Sequence, residues 1–133
     1  YLQIKKDFGR AVLKDFDSTR HIKDTLKKVW ENMFNYTTRH PDYFIYTEQF
    51  SNSPFQDLID KKLVEEHFLP LITSIETAIH QHIVKNVDAD ILKAFIVFPV
   101  ITLCNQRLCQ DFKATGKNID LAFSLAWDAI RQR

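Results

Sequence analysis

The sequence predicts an all-α domain of six to seven helices, and three features of the chain indicate this fold class. Its 133 residues suit one domain that buries roughly two-thirds of the surface of its unfolded chain. Only two glycines and four prolines are present, which leaves few residues for the tight turns of a β-rich fold. Apolar residues also recur every three to four positions along most of the chain, which is the spacing of a helix with one buried face. We therefore treat residues 1–133 as a single helical domain.

The first two helices are predicted from apolar stripes in the N-terminal third of the chain. Residues 2–16 repeat an apolar side chain about every four positions, with lysines outside the stripe. A second helix is expected to begin after Asp17 or Ser18, because either side chain can cap it. It is expected to end near His40, because Pro41 disfavours helical geometry in the residue before it.

A longer helical run is predicted between Ser53 and Val84. Ser53 can act as the N-cap, Pro54 suits the first helical position, and Gln56 completes a capping box. Pro70 lies inside the run and is expected to bend it or to divide it in two, because proline removes one helical hydrogen bond.

The stretch Ile91–Phe112 is apolar on almost every side in its first half, and the rest of the chain is expected to be arranged around it. Such a helix must be covered on several faces. Its dense apolar run of about 14 residues is shorter than the roughly 20 needed to cross a bilayer, so a membrane span is the weakest interpretation. We favour a core helix that also contacts a partner subunit, while the central helix of a monomer stays open as an alternative.

The boundaries of the last two helices are predicted from four residues. Asp88 is expected to cap the central helix and Pro99 to kink it. Gly116 is expected to end that helix as a left-handed residue after its last turn, and Asn118 to cap the final helix. The apolar stripe of the final helix consists of Ile119, Phe123, Ala126, Trp127 and Ile130.

Charge and cysteine spacing restrict the possible partners. The net charge of +1 argues against a phosphate-binding surface spread over the whole domain, although the first 28 residues carry eight basic and four acidic side chains. Cys104 and Cys109 lie about 140° apart around a helix and therefore cannot pair within it. Reduced thiols in a cytoplasmic protein are the simplest interpretation.

No pattern in the sequence indicates catalysis, a metal site or a cofactor. His80 and His82 are two residues apart and point to different sides of a helix, so they cannot chelate one metal ion. His67 follows two glutamates, but this pattern matches neither the zinc-binding nor the di-iron helix motifs. We therefore predict a protein that is not an enzyme. A helical enzyme stays as a third possibility, which metal analysis would dismiss or revive.

The aromatic residues predict a small-molecule site. They make up 13% of the chain and are concentrated on the second, third and central predicted helices. Core packing explains most of them, but polar side chains nearby would complete a mainly apolar cavity with a few orienting groups. We predict one wall of this pocket from Trp30, Phe34, Tyr46 and Phe50, and the other from Leu71, Ile75, Phe95, Phe98 and Thr102.

A distinctive motif occurs at His40–Pro54, which reads HPDYFIYTEQFSNSP. It resembles the junction between the second and third helices in the C-terminal ligand-sensing and dimerisation domain of TetR/AcrR-type transcriptional regulators. Tyr1–Asp7 is similar to the helix that leaves the DNA-binding domain of these proteins, and Leu26–Trp30 to the next helix. Asp88–Leu92 resembles the start of the penultimate helix, and Phe123–Trp127 lies on the last. The resemblance covers almost the whole chain.

This resemblance implies a bacterial regulator in the cytoplasm, expected to be a repressor, with an N-terminal helix-turn-helix domain of roughly 50 residues upstream of this chain. DNA would be bound only through that domain. The resemblance also implies a homodimer in which the last two helices of each subunit form a four-helix bundle, and a small apolar or amphipathic ligand. The interface residues that it implies are Pro99, Leu103, Arg107, Phe123, Trp127 and Ile130. The alternative is a free-standing helical dimerisation module without a small ligand.

Overall fold

The computed structural model describes residues 2–43 and 65–133, and all the regular elements in these two ranges are helices. The sequence-predicted capping box at Ser53 to Gln56 lies outside the described residues, as do Tyr46 and Phe50. None of the described helices is both long and apolar enough to cross a membrane. The described helices are α1 (Leu2–Val12), α2 (Ile22–Arg39), α3 (Leu69–His80), α4 (Ala89–Ile96), α5 (Phe98–Cys104) and α6 (Gly116–Ile130).

The first helix ends earlier than its apolar stripe predicts. α1 stops at Val12, and Asp15 adopts a left-handed backbone with φ of 60°, which a continuing right-handed helix does not allow. The buried side chain of Asn32 on α2 donates hydrogen bonds to the carbonyls of Val12, at 2.9 Å, and Lys14, at 3.0 Å. Asn32 thus satisfies carbonyls that the end of α1 leaves without helical partners.

α2 ends where the sequence predicts but begins three or four residues later than expected. His21, and not Asp17 or Ser18, is its N-cap: His21 Nδ1 accepts a hydrogen bond of 3.1 Å from the backbone N–H of Lys23. The Asp17 carboxylate instead accepts hydrogen bonds from Thr19 within the preceding turn. A capping side chain therefore exists here, but local turn geometry selects a different residue.

Pro70 starts a helix and does not bend one. It lies in the first turn of α3, where proline is favoured because its missing N–H has no partner in a helix start. α3 ends at His80, and His82 then adopts a left-handed backbone with φ of 60°. The predicted run up to Val84 is therefore divided at Pro70 in the part that the structure describes.

The central apolar stretch forms two short helices in place of one long kinked helix. α4 ends at Ile96, Val97 forms the break, and Pro99 lies in the first turn of α5. The predicted end at Gly116 is wrong, because α5 already ends at Cys104 and Gly116 is the first residue of α6 with no left-handed φ.

The cap of the final helix also differs from the prediction. Thr115 is the N-cap of α6, and its hydroxyl accepts a hydrogen bond of 3.2 Å from the backbone N–H of Asn118. The predicted N-cap, Asn118, lies inside the first turn, where its side-chain amide donates to the carbonyl of Lys113 at 2.9 Å.

Hydrogen bonds fasten the segment after α3 to the end of α6. The backbone N–H of Lys85 donates to the carbonyl of Ile130, and that of Gln132 to the carbonyl of Ile83, both at 2.8 Å. The Lys85 ammonium also donates to the carbonyl of Ala129 at 2.8 Å. A cation at a helix C-terminus stabilises the partial negative charge there. The chain between α3 and α4 is therefore held in place against α6.

The hydrophobic core lies between α2 and the helices around it. Trp30 and Phe34 of α2 are almost fully buried, at 1% and 0% exposure. Phe34 contacts Phe112, with 6.0 Å between ring centroids, and Phe8 of α1 stacks on Tyr43 at 4.9 Å. On α6, the five residues of the predicted apolar stripe are all buried against this core: Ile119, Phe123, Ala126, Trp127 and Ile130.

Candidate ligand cavity and dimer face

An apolar cavity of about 180 Å³ lies between α3 and α4. Helix α3 lines it with residues three or four positions apart, and α4 does the same, so each helix presents one face to the cavity. α2, the segment before α4 and the end of α6 complete the wall. The lining residues are Leu26, Ile72, Ile75, Glu76, Ile79, Val84, Val87, Ala89, Leu92, Lys93, Ile96, Val97 and Ile130.

Among the described residues, the lining is aliphatic except for two charged side chains, Glu76 and Lys93. Both residues are also exposed to solvent, which places them at the mouth of the cavity. The floor includes Leu26, Val84 and Ile130, which are 1–5% exposed. A mainly apolar recess with few polar groups suits a small organic molecule.

Seven of the nine sequence-predicted ligand residues are among those that the structure describes, and of these seven only Ile75 lines this cavity. Trp30 and Phe34 are fully packed into the core, so their rings have no free surface toward a ligand. Leu71 is half-buried and packs against the same core. The aromatic wall predicted from the sequence is therefore, in its described part, core and not cavity lining.

The remaining three predicted ligand residues lie on the outer surface of α4 and α5. Phe95 and Phe98 are each 51% exposed, and Thr102 is also exposed. Ile91, at 48%, lies four residues before Phe95 on α4, and Phe98 lies four residues before Thr102 on α5, so each pair shares one side of its own helix. Their position suits contact with another surface better than contact with a ligand in the cavity between α3 and α4.

α6 carries two further exposed leucines, Leu121 at 59% and Leu125 at 68%, four residues apart. Contiguous apolar patches larger than a few hundred Å² mark interaction sites, whereas single exposed apolar residues are common on any protein surface. We call this set the outer face; it consists of Ile91, Phe95, Phe98, Thr102, Leu121 and Leu125.

The residues that the resemblance implied for a dimer interface lie mostly elsewhere. Phe123, Trp127 and Ile130 are 3–7% exposed within one subunit, and have little surface left to give to a partner. Leu103 is half-buried against the core, while Pro99 is half-buried and Arg107 is exposed. On α6, the apolar surface that a partner could cover is at Leu121 and Leu125, on the side opposite the core stripe.

Sequence reasoning missed most of the cavity because it gave weight to aromatic residues. The relevant pattern was present in the isoleucines of α3, where Ile72, Ile75 and Ile79 recur at helical spacing. The same spacing joins Leu92 to Ile96 on α4. Periodicity alone does not tell which of two apolar faces closes on the core and which borders a gap.

Burial changes the pKa of two groups near these surfaces. The pKa of the Lys5 ammonium is lowered by its burial and, to a smaller extent, by repulsion from the Lys93 ammonium. Burial raises the pKa of the Cys104 thiol to about 11. Among the residues that the structure describes, no group of three His, Cys, Asp or Glu side chains could hold a metal ion.

The described residues form six helices, with an apolar cavity between α3 and α4 and exposed apolar residues on α4, α5 and α6. Comparisons with known proteins show the family to which this fold belongs. Residues 22–131 match the model of a family described as "Tetracyclin repressor-like, C-terminal domain". The chain belongs to this family and is the C-terminal domain of a TetR-type transcriptional regulator. Sequence comparison with curated proteins finds no match.

Solved structures of TetR family regulators share the fold. A TetR family transcription regulator from Marinobacter aquaeolei VT8 is 24% identical and superimposes with a TM-score of 0.87, over 98% of this chain and 69% of that one. A putative TetR family regulator from Vibrio parahaemolyticus is 16% identical, with a TM-score of 0.83 over 99% and 72% of the two chains. One from Shewanella sp. PV-4 is 14% identical, with a TM-score of 0.70 over 99% and 71%. The predicted fold class and family resemblance are confirmed.

Proposed function

We propose that this chain is the effector-binding and dimerisation domain of a bacterial transcriptional repressor that works in the cytoplasm. The observation that carries the proposal is the cavity between α3 and α4, whose described lining is aliphatic apart from Glu76 and Lys93, both exposed to solvent. Its volume of about 180 Å³ is below the range of roughly 300–1,000 Å³ that holds drug-sized ligands. The effector is therefore a small apolar or amphipathic molecule.

The outer face is proposed to be the dimer interface. Two copies of the chain related by a two-fold axis would cover the same apolar patch twice. In each subunit, the α4–α5 pair would take the place of one long helix, and α6 would be the second. The two subunits together would then form a four-helix bundle, as the resemblance to TetR-type regulators implies. The residues assigned to this interface are Ile91, Phe95, Phe98, Thr102, Leu121 and Leu125, together with Pro99, Leu103 and Arg107 at its border.

α4 provides the proposed coupling between effector and operator. Leu92 and Ile96 face the cavity, while Ile91 and Phe95 of the same helix belong to the outer face. A ligand that moves α4 would change the packing of the two subunits. It would thereby alter the spacing of two upstream recognition helices, which operator binding requires to be about 34 Å apart. The ligand shifts this equilibrium only if it binds one arrangement more tightly than the other.

A cavity-filling substitution tests this proposal in the full-length regulator. Ala89 lines the cavity at the start of α4 and is itself exposed, so the larger ring of Ala89→Phe should take up space at the mouth of the cavity. Operator binding of the wild type is expected to weaken when 1-octanol, a small neutral amphiphile, is added, whereas the Ala89→Phe variant should not respond. Ala114→Phe, at an exposed residue that does not line the cavity, is the matched control and should respond like the wild type. An octanol response that survives in Ala89→Phe would contradict the assignment of this cavity.

A further inference from the structure

The two charged side chains at the mouth of the cavity decide which head group a ligand can carry. Lys93 and Glu76 both line the cavity, and no ion pair joins them in the described part of the chain. A neutral apolar ligand would use neither of them. A charged ligand would be attracted by one of these two groups and repelled by the other. The interactions that Lys93 and Glu76 make within the protein therefore indicate which sign of ligand charge is favoured.

The ammonium of Lys93 is only weakly engaged within the protein. Its nearest carboxylate is that of Asp90, at 4.0 Å, and both side chains face solvent, with 53% of Lys93 and 97% of Asp90 exposed. Exposed pairs of this kind contribute little free energy, so a ligand anion can replace Asp90 at small cost. Asp90 does not line the cavity and would not repel a carboxylate at its mouth as directly as a lining residue would.

The length of lysine favours Lys93 over Glu76 as the group that meets a ligand. A lysine can lay its four-carbon stem along an apolar wall while its ammonium stays hydrated, so it can reach over the mouth without being buried. The shorter glutamate stem of Glu76 gives its carboxylate less reach.

The volume limits the apolar part of the ligand. A cavity of about 150 Å³ with an aliphatic and aromatic lining accepts a benzene-sized molecule. This cavity, at about 180 Å³, is slightly larger and is open at its mouth. It therefore suits an alkyl chain or ring of roughly six to eight carbons, with the polar group outside.

We propose that the effector is a small amphipathic monocarboxylate, whose apolar part fills the cavity between α3 and α4 and whose carboxylate pairs with Lys93. This inference rests on the proposed function, because it names the chemical class of the effector in the same cavity. Glu76 contributes selectivity, since its carboxylate repels ligands whose negative charge lies deeper in the cavity or closer to Glu76 than to Lys93.

Three probes with eight carbon atoms each test the proposal: octanoate, 1-octanol and octylamine, which are anionic, neutral and cationic at pH 7. Calorimetric titration of the purified protein is expected to give tightest binding for octanoate, by about three- to tenfold over octanol, as one partly exposed charge-assisted contact allows. Octylamine is expected to bind no more tightly than octanol. Tightest binding of octylamine would overturn the proposal in favour of a Glu76-directed cation.

Substitutions test whether Lys93 binds the ligand through its charge or through the packing of its stem. Lys93→Met keeps an apolar stem and is expected to remove the preference for octanoate over octanol while leaving octanol affinity within about twofold. Lys6→Met, at an exposed lysine of α1 away from the cavity, is the control and should keep the wild-type preference. Glu76→Gln is expected to strengthen octanoate binding. An unchanged octanoate-to-octanol ratio in Lys93→Met would overturn the proposal.

The same titrations distinguish this inference from the function on which it rests. Octanol that binds without any advantage for octanoate contradicts the carboxylate assignment and leaves the effector cavity in place. Failure of all three probes to bind contradicts the cavity as an effector site for small amphiphiles, and with it both proposals.

Discussion

The indole Nε1 of Trp30 donates a hydrogen bond of 3.2 Å to the backbone carbonyl of Ile119, which lies 89 residues further along the chain. The ring is 1% exposed and lies edge-on to Phe123, with 5.7 Å between centroids. A buried indole N–H needs such a partner, because leaving it unpaired would cost the desolvation of the donor. The contact joins α2 to α6 and fixes the frame on which both the cavity and the outer face depend.

Trp30→Phe should therefore reduce stability more than its change in volume suggests. We expect the free energy of unfolding to fall by about 2–3 kcal/mol, from one lost hydrogen bond and the gap left by the smaller ring. Urea unfolding followed by circular dichroism measures the change. A loss below about 0.5 kcal/mol, the usual effect of a surface substitution, would show that the bond to Ile119 does not hold α6 in place.

Asn32 offers a test of how the end of α1 is held. Its amide donates to two carbonyls, so Asn32→Asp would replace a donor by a carboxylate that faces the oxygens of Val12 and Lys14. We expect a loss of about 2–3 kcal/mol at pH 7, as for other buried polar groups that lose their partners. The exposed Asn35→Asp on the same helix is the control, and its unfolding midpoint in urea should stay close to that of the wild type.

The Cys104 thiol is expected to react slowly with alkylating agents. Burial raises its pKa from 9.0 to about 11, so at pH 8 its thiolate fraction is about a hundredth of that of an unperturbed thiol. In a Cys109→Ser variant, which leaves Cys104 as the target, iodoacetamide should label the folded protein about 100-fold more slowly than the urea-unfolded protein. Equal rates would contradict the burial of this thiol.

Because the pKa of Cys104 is raised in the folded protein, the free energy of unfolding is expected to fall at alkaline pH. The protonated thiol is favoured in the folded state, so the contribution of Cys104 is complete below about pH 9 and is lost as the pH rises toward 11. Unfolding free energies measured from pH 8 to pH 11 should therefore fall less steeply for Cys104→Ala than for the wild type. Parallel curves for the two proteins would contradict this linkage.

The proposed dimer face predicts that a charge at its centre separates the subunits. Phe95 is 51% exposed, and Phe95→Glu would place a carboxylate where two copies meet. Burial of a phenylalanine is worth about 1.5–3 kcal/mol, so the dissociation constant should rise at least tenfold. Sedimentation velocity at micromolar concentration measures the change. Thr73→Glu, at an exposed residue of α3 outside that face, should leave the dimer intact; a dimer that tolerates Phe95→Glu would place the interface elsewhere.

The sequence predicts a helix boundary well where apolar spacing and a proline indicate the same position. It predicts the boundary poorly where local hydrogen bonds determine which residue caps the helix. The end of α2 at Arg39 follows from Pro41, which disfavours helix in the residue before it. The cap at His21 does not follow, because Asp17 is a better capping residue by type but is used in its own turn. Likewise, Thr115 takes the cap of α6. Choices between neighbouring capping residues depend on turn geometry that periodicity does not contain.

The ligand site stays a prediction, and the structure shows only where its described residues lie. An apolar pocket with polar groups at its edge follows from composition, and Ile75 was placed in it. Trp30 and Phe34 instead fill the core, because large rings at the centre of the bundle pack without leaving space beside them. The gap forms where medium-sized side chains of α3 and α4 face one another. Its position depends on the break at Val97, which apolar content alone does not indicate.

The central claim is that ligand in the cavity changes the arrangement of two subunits through α4, and a distance between subunits tests it most directly. A spin label at Arg10→Cys, on the exposed side of α1, would report the separation of the two N-terminal helices in a dimer that lacks Cys104 and Cys109. Pulsed electron paramagnetic resonance should give a distance distribution that shifts by a few ångströms as octanoate saturates the protein, and no shift in the Ala89→Phe variant. An unchanged distribution with octanoate bound, or no intersubunit distance at all, would contradict the account.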